Sequence, residues 1–217
     1  MPAEPFKFDG VLDEWKKNQI LRYCRKSVLD VGCNTGELVG FLNSIGIYAE
    51  GIDSEPKHIA SARTKFTKSK FFTGTDLSIF SDNQFETAVA WNVLEHIPDD
   101  FAALKEFLRV AESNVILSVP KEDDISLPFS RVTYRPYVDP THVHYYTRER
   151  IAELVHGIGD FDLYFEDTTR VRPLLAYHKI GIPLWLCKFF DEIFWLVGKD
   201  KNVLHANLMV VITKNKK

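Results

Sequence analysis

The chain has 217 residues, 45% of them hydrophobic, with 27 basic and 30 acidic side chains and a net charge of −3. That supports one substantial core and is too short for two comfortable domains, so a single domain over 1–217 is expected. The charge balance excludes broad affinity for a nucleic-acid backbone, and the three scattered cysteines, Cys24, Cys33 and Cys187, exclude a disulfide framework and point to a reducing, cytoplasmic setting.

Residues 9–24 read as a first helix, with Leu12, Trp15, Ile20 and Tyr23 among its apolar points. No signal-peptide pattern precedes it. A first strand is expected over 27–31, a crossover helix over 37–44 and a second strand over 48–52. Ser54 is placed to cap the next helix, where Pro56 suits an early helical position. A short third strand follows at 70–73 and a fourth at 85–91. A helix is expected over 98–111 and a fifth strand over 114–119, stopped by Pro120. Thr147 should cap a helix over 148–156, and later strands fall at 161–165 and 208–213. Strands alternating with helices over this length mean a parallel sheet covered on both faces.

Two stretches fall outside the alternation. Residues 121–146 form one long connection, and such loops are functional or disordered; its aromatic and arginine content argues against disorder. Residues 180–197 are the one long apolar run. Lys188, Asp191 and Glu192 in its middle exclude a membrane span. Leu186, Phe190, Ile193 and Val197 recur at helical spacing, so an amphipathic helix is expected. It would be packed on the core, act as a lid, or serve as a homodimer or lipid-facing contact.

The chemistry concentrates in Val28-Leu29-Asp30-Val31-Gly32-Cys33-Asn34-Thr35-Gly36, followed by Gly51-Ile52-Asp53. Strand, glycine turn, helix and a second strand ending in a carboxylate build a nucleotide pocket, with that carboxylate placed to accept from ribose hydroxyls. A dinucleotide fingerprint needs three glycines; here Asn34 stands at the middle position. A phosphate-cradling loop would end in Gly-Lys-Ser/Thr, whereas Gly36 precedes Glu37 and Leu38. Asp30 would repel a pyrophosphate but suits a ligand carrying an ammonium and a sulfonium.

Asp30 to Gly36 resembles the first motif, D-x-G-C-G-x-G, of class I S-adenosylmethionine-dependent methyltransferases. Gly51-Ile52-Asp53 resembles that family's ribose-binding strand end. Gly74-Thr75-Asp76-Leu77 resembles its adenine segment, and the run from Phe85 to Ile97 its fourth strand and following turn. The resemblance implies a Rossmann-like, doubly wound, mostly parallel seven-stranded sheet, its last strand antiparallel beside the fifth. It implies S-adenosylmethionine as cofactor, held by Asp30, Gly32, Cys33, Asn34, Gly36, Asp53, Ser54, Asp76, Leu77 and Asn92. Asp76 and Asn92 also read simply as a turn acid and a strand-end cap.

Methyl transfer needs alignment and water exclusion, and a base only when the acceptor must lose a proton. His142 and His144, shortly before an aromatic-aromatic-Thr helix start, are the candidates for that base, or are structural. Their i, i+2 spacing suits a metal, but no acidic or cysteine cluster completes the set in sequence, so no metal is expected. His96 reads as structural. Arg131, Tyr134, Arg135 and Tyr146 are candidate acceptor contacts, with Tyr137, Arg170 and Arg172 nearby in kind. The expected acceptor is a small molecule, glycan or lipid-linked intermediate, methylated at oxygen. The alternatives are a non-catalytic S-adenosylmethionine-binding subunit and a nucleic-acid methyltransferase. The latter is disfavoured because Asn92 is followed by Val93-Leu94 rather than Pro-Pro, and Pro120 by Lys121 rather than cysteine.

Overall fold

A computed structural model describes residue 12 and residues 14–121, 141–170, 181–197 and 205–215. Its elements, in order, are α1 (Glu14–Tyr23), β1 (Ser27–Val31), α2 (Glu37–Ser44), β2 (Tyr48–Asp53), α3 (Pro56–Lys65), β3 (Lys70–Thr73), β4 (Phe85–Trp91), α4 (Asp100–Val110), β5 (Ala111–Pro120), α5 (Arg148–Ile158), β6 (Phe161–Arg170), α6 (Leu184–Val197) and β7 (His205–Lys214).

The strands form one seven-stranded sheet in the order β3-β2-β1-β4-β5-β7-β6. The pairs β1–β2, β1–β4, β2–β3 and β4–β5 are parallel. β7 runs antiparallel between β5 and β6, as the resemblance implied. This is the Rossmann-like methyltransferase arrangement.

Alternating side chains of the central strands feed two cores. Leu29, Val31, Ala88, Ala90, Val115, Leu117, Val210 and Ile212 pack on one face with α4 and α5. Val28, Ala49, Val89, Ile116, Met209 and Val211 pack on the other with α1, α2 and α3. Burial of both faces explains why these strands read as continuous apolar runs rather than alternating ones.

Several boundaries differ from expectation for local reasons. Glu55, not Ser54, caps α3, its carboxylate accepting from the Lys57 amide. Asp99 caps α4, so that helix starts after Pro98. β5 begins at Ala111, while β6 and β7 run on as an antiparallel pair through polar residues such as Glu166, Asp167 and Asn207. α6 starts at Leu184, just after Pro183. Thr147 caps α5 as expected. No helix among the described residues is long and apolar enough to cross a membrane. On α6, Trp185, Phe189, Phe190 and Ile193 are exposed and Cys187 is buried, so most of its described apolar side chains face outward rather than into the core.

Candidate functional site

Parallel pairing brings the ends of β1, β2, β3 and β4 to one rim. Asp30 lies opposite Gly51 and Val89, and Asp53 opposite Thr73. The glycine turn after β1 is built from three left-handed residues, Gly32 (φ 71), Asn34 (φ 48) and Gly36 (φ 83). Asparagine is among the few side chains that enter this region readily, so Asn34 takes the middle position without a glycine. The Gly32 and Cys33 amides both donate to the Ile52 carbonyl, at 2.8 and 3.1 Å, which fastens the turn to β2.

Asp53 completes that fastening. Its Oδ2 accepts from the Asn34 amide at 2.8 Å and its Oδ1 from the Glu55 amide at 2.8 Å, with His58 Nδ1 at 3.2 Å. An ionised carboxylate offers about four acceptor positions, so capacity remains for ribose hydroxyls. Cys33 is buried, and its sulfur packs where a Cβ on Gly51 would fall, 2.7 Å away. Only its backbone is therefore placed to serve a ligand.

Asp30 is buried beneath the turn. Burial, against the attraction of Lys16 and with repulsion from Asp53 and Glu37, pushes its carboxyl up to about 7. Lys16 itself lies over the Trp91 ring, 4.7 Å from the centroid. In the cofactor-free fold, ionising this buried acid costs stability as pH rises from its ordinary range through about 7. Affinity for a cationic ligand paired with Asp30 would run the opposite way, because such a ligand needs the carboxylate. Calorimetry between pH 6 and 8 should show S-adenosylmethionine affinity rising by about tenfold, as a single group titrating near the midpoint requires. Asp30→Asn should flatten that rise; an equal rise in the variant would remove Asp30 from the role.

At β3 the Asp76 carboxylate accepts from the Ser78 amide and hydroxyl, both at 2.8 Å. The bond from the Ser78 amide is the foremost cause holding its pKa below the ordinary value. Asp76 is exposed and caps the 3-10 turn Leu77–Ile79, while Leu77 is buried. Ser54 is exposed just beyond β2. At β4, Asn92 is left-handed (φ 56) and its amide donates to the Ser118 carbonyl at 2.8 Å. Its side-chain Oδ1 is buried with no hydrogen-bond partner among the described residues. A buried acceptor left open at a strand end fits a ligand-facing group.

The two histidines that the sequence offers as alternative bases have different surroundings. His144 Nε2 bonds the Pro98 carbonyl at 3.0 Å, and its Nδ1 meets Arg150 at 3.2 Å with Asp100 at 3.8 Å. Arginine only donates, so the network assigns Nδ1 as acceptor and Nε2 as the protonated nitrogen. Both nitrogens are engaged, which makes His144 a positioning residue. His142 instead sits edge-on to His96, ring centroids 4.7 Å apart. Tyr146 departs from expectation. It is fully buried, its hydroxyl lying 3.4 Å from the Leu94 carbonyl and 3.2 Å from Asp100 Oδ2, so it supports the core rather than an acceptor pocket. Arg131, Tyr134, Arg135, Tyr137 and Arg172 lie outside the described residues, as does the side chain of Arg170.

Sequence reading missed the partners of His142. Glu95, His96 and His142 each offer a ligand atom within 4.8 Å of the others. The adjacent acid and histidine after β4 were the available signal, but Thr141 stands 45 positions from His96 and only folding joins them.

A doubly wound sheet whose strand ends carry a left-handed glycine turn, a carboxylate that fastens it and an open carboxamide defines a Rossmann-like class. Residues 14–160, more than half the chain, match the methyltransferase-domain family, and the chain belongs to it as a class I S-adenosylmethionine-dependent methyltransferase. Tocopherol O-methyltransferase of Arabidopsis thaliana is 32% identical over 119 residues, 51% of this chain and 33% of that protein. Norajmaline N-methyltransferase of Rauvolfia serpentina is 28% identical over 119 residues, 51% of this chain and 39% of that protein. The matched segment thus spans little more than a third of these curated relatives. A methyltransferase structure from Archaeoglobus fulgidus superposes with a TM-score of 0.64 at 18% identity, covering 93% of this chain and 94% of its own. Phosphoethanolamine N-methyltransferase 2 of Haemonchus contortus, solved with S-adenosyl-L-methionine, gives 0.61 at 16% identity, covering 92% of this chain and 53% of its own. At these identities the two structures speak for the fold.

Proposed function

We propose that residues 1–217 act as a single methyltransferase domain that methylates an oxygen of a small-molecule, glycan or lipid-linked acceptor. The observation that carries this is the row at the strand ends: buried Asp30, the turn fastened by Asp53, and the open Asn92 carboxamide. Asp30 pairs with the methionine ammonium. The backbone of Gly32, Cys33, Asn34 and Gly36 cradles the cofactor, and Asp53 accepts from ribose. Leu77, presented by the Asp76-capped turn, meets adenine beside Ser54. Asn92 faces the cationic end.

The bound cofactor supplies a methyl carbon already activated by positive sulfur. The chain aligns donor and acceptor, excludes water and receives the acceptor. His142 faces the acceptor and His144, locked to Pro98 and Arg150, positions it. The small-molecule reading is supported by the names of both curated relatives, and the oxygen reading by that of the tocopherol enzyme. Arg131, Tyr134 and Arg135, which lie outside the described residues, stay acceptor-contact candidates on their chemistry alone. The outward apolar residues of α6 serve a peripheral contact, with a second copy or with the lipid portion of an acceptor. The buried thiols Cys24, Cys33 and Cys187 accord with a cytoplasmic setting.

Calorimetry with S-adenosylmethionine and S-adenosylhomocysteine should give micromolar binding of both. Release of S-adenosylhomocysteine should then appear with phenol, glycan or lipid pools. Binding without turnover on any pool would leave a non-catalytic cofactor-binding protein.

A further inference from the structure

Glu95 and His96 sit on the 3-10 turn Leu94–His96 just past β4, and His142 on the segment leading into α5. The backbone locks the two together. The Glu95 carbonyl accepts from the Val143 amide at 2.9 Å and from the His144 amide at 3.3 Å, which clamps 143–144 onto the turn. Thr141 engages His96 Nδ1 through its hydroxyl at 3.0 Å and its carbonyl at 3.3 Å. That leaves Nε2 for a ligand role and reproduces the outer-shell bond that orients metal-binding histidines. Glu95 is 0% exposed, so its carboxylate is held inside the fold beside the two imidazoles.

Two imidazoles and one carboxylate within 4.8 Å of one another are a two-histidine, one-carboxylate ligand set. Around a zinc ion with bonds of about 2.0–2.2 Å, ligand atoms stand roughly 3.5 Å apart, so the group must tighten by about an ångström. The exposed His96 side chain gives that freedom. Sequence reading expected no metal because His142 and His144 lack a neighbouring acid; the fold supplies one from the β4 turn and turns His144 aside.

We propose that Glu95, His96 and His142 bind a divalent transition-metal ion of the zinc or manganese type. Three protein ligands leave coordination positions open, the pattern of a working rather than a purely structural site. Glu95, on the turn that also carries His96, follows Asn92 by three positions at the end of β4. Resting on the proposed oxygen methylation, the ion receives the acceptor hydroxyl there. The hydroxyl's proton passes to solvent on coordination, since a divalent ion lowers the pKa of bound oxygen. The oxygen then forms its bond to the methyl carbon as the carbon–sulfur bond breaks and sulfur keeps the electron pair. His142 thus acts as a ligand rather than as a base.

The full chain, stripped with chelator, is titrated with Mn2+ by paramagnetic resonance and with Zn2+ by competition. One site per chain is expected, weakened about a hundredfold or more in Glu95→Gln, His96→Ala and His142→Ala, beyond what loss of an outer-shell partner costs. His156→Ala, on the exposed side of α5, should bind as the parent does. The exposed His96 position keeps the test valid if the buried Glu95 variant fails to fold. No binding of either ion at about 100 μM, or unchanged affinity in His96→Ala and His142→Ala, overturns the proposal. Cofactor calorimetry on the metal-loaded parent separates the two readings: if it binds no S-adenosylmethionine, the proposed oxygen methylation falls and the metal result stands.

Discussion

Asp53→Ala is expected to weaken S-adenosylmethionine binding by about 1–3 kcal/mol, roughly 5- to 150-fold, the scale of hydrogen bonds to a charged group. The loss has two sources. One is the proposed ribose contact. The other is the turn, because the Asn34 and Glu55 amides both give their hydrogens to this carboxylate. Asn34 holds a left-handed backbone that few residues tolerate, and its amide is steered by Asp53 alone among the described side-chain contacts. Asp53→Asn separates the sources: it keeps an oxygen for one amide but not the charge. Calorimetric affinity read beside thermal melting decides between them. A lowered melting temperature with unchanged affinity in the folded fraction would remove Asp53 from the ribose.

Gly36→Ala is expected to destabilise the fold by about 2–5 kcal/mol. Left-handed backbone costs an L-residue roughly 1–2 kcal/mol, and overpacking roughly 1–3 kcal/mol more. At Gly36 both act, since φ is +83 and a Cβ would fall 2.7 Å from the Phe71 ring and 2.9 Å from Ala62. For a chain of this size the melting temperature should fall by about 5–15 °C. Gly46→Ala is the control: its φ is +85, but nothing lies within 4 Å of an added Cβ, so only the backbone cost should remain. Equal losses at the two sites in a melting experiment would refute the clash at Phe71. The same geometry gives Gly36 a second reason to be glycine: the protein's own packing requires it before any ligand arrives.

What the sequence made legible was whatever local punctuation controls. β1, α2, β3 and β4 fall where glycine turns, Pro56 and apolar runs placed them. The antiparallel pair β6–β7 outran expectation because cross-strand hydrogen bonds carry polar residues such as Glu166 and Thr168 that no apolar pattern marks. The row of residues at the rim was readable because they follow consecutive strand ends. The acceptor side was not. His142 and His144, two positions apart, point to different partners, while Glu95 reaches His142 only through the folded chain. Tyr146 looked like a binding aromatic, and only its burial beside Asp100 reveals a core role.

The position of β7 has a consequence for how the chain assembles on the ribosome. β2 to β5 each pair with a strand already made, so the strand-end rim can take shape early in synthesis. β6 has no such neighbour, because the strand that seats it beside β5 comes after it in the chain. Until then β5 and β6 each present an open edge, the kind of template that invites intermolecular pairing. Closure of that gap is therefore the late, aggregation-exposed step in making this protein.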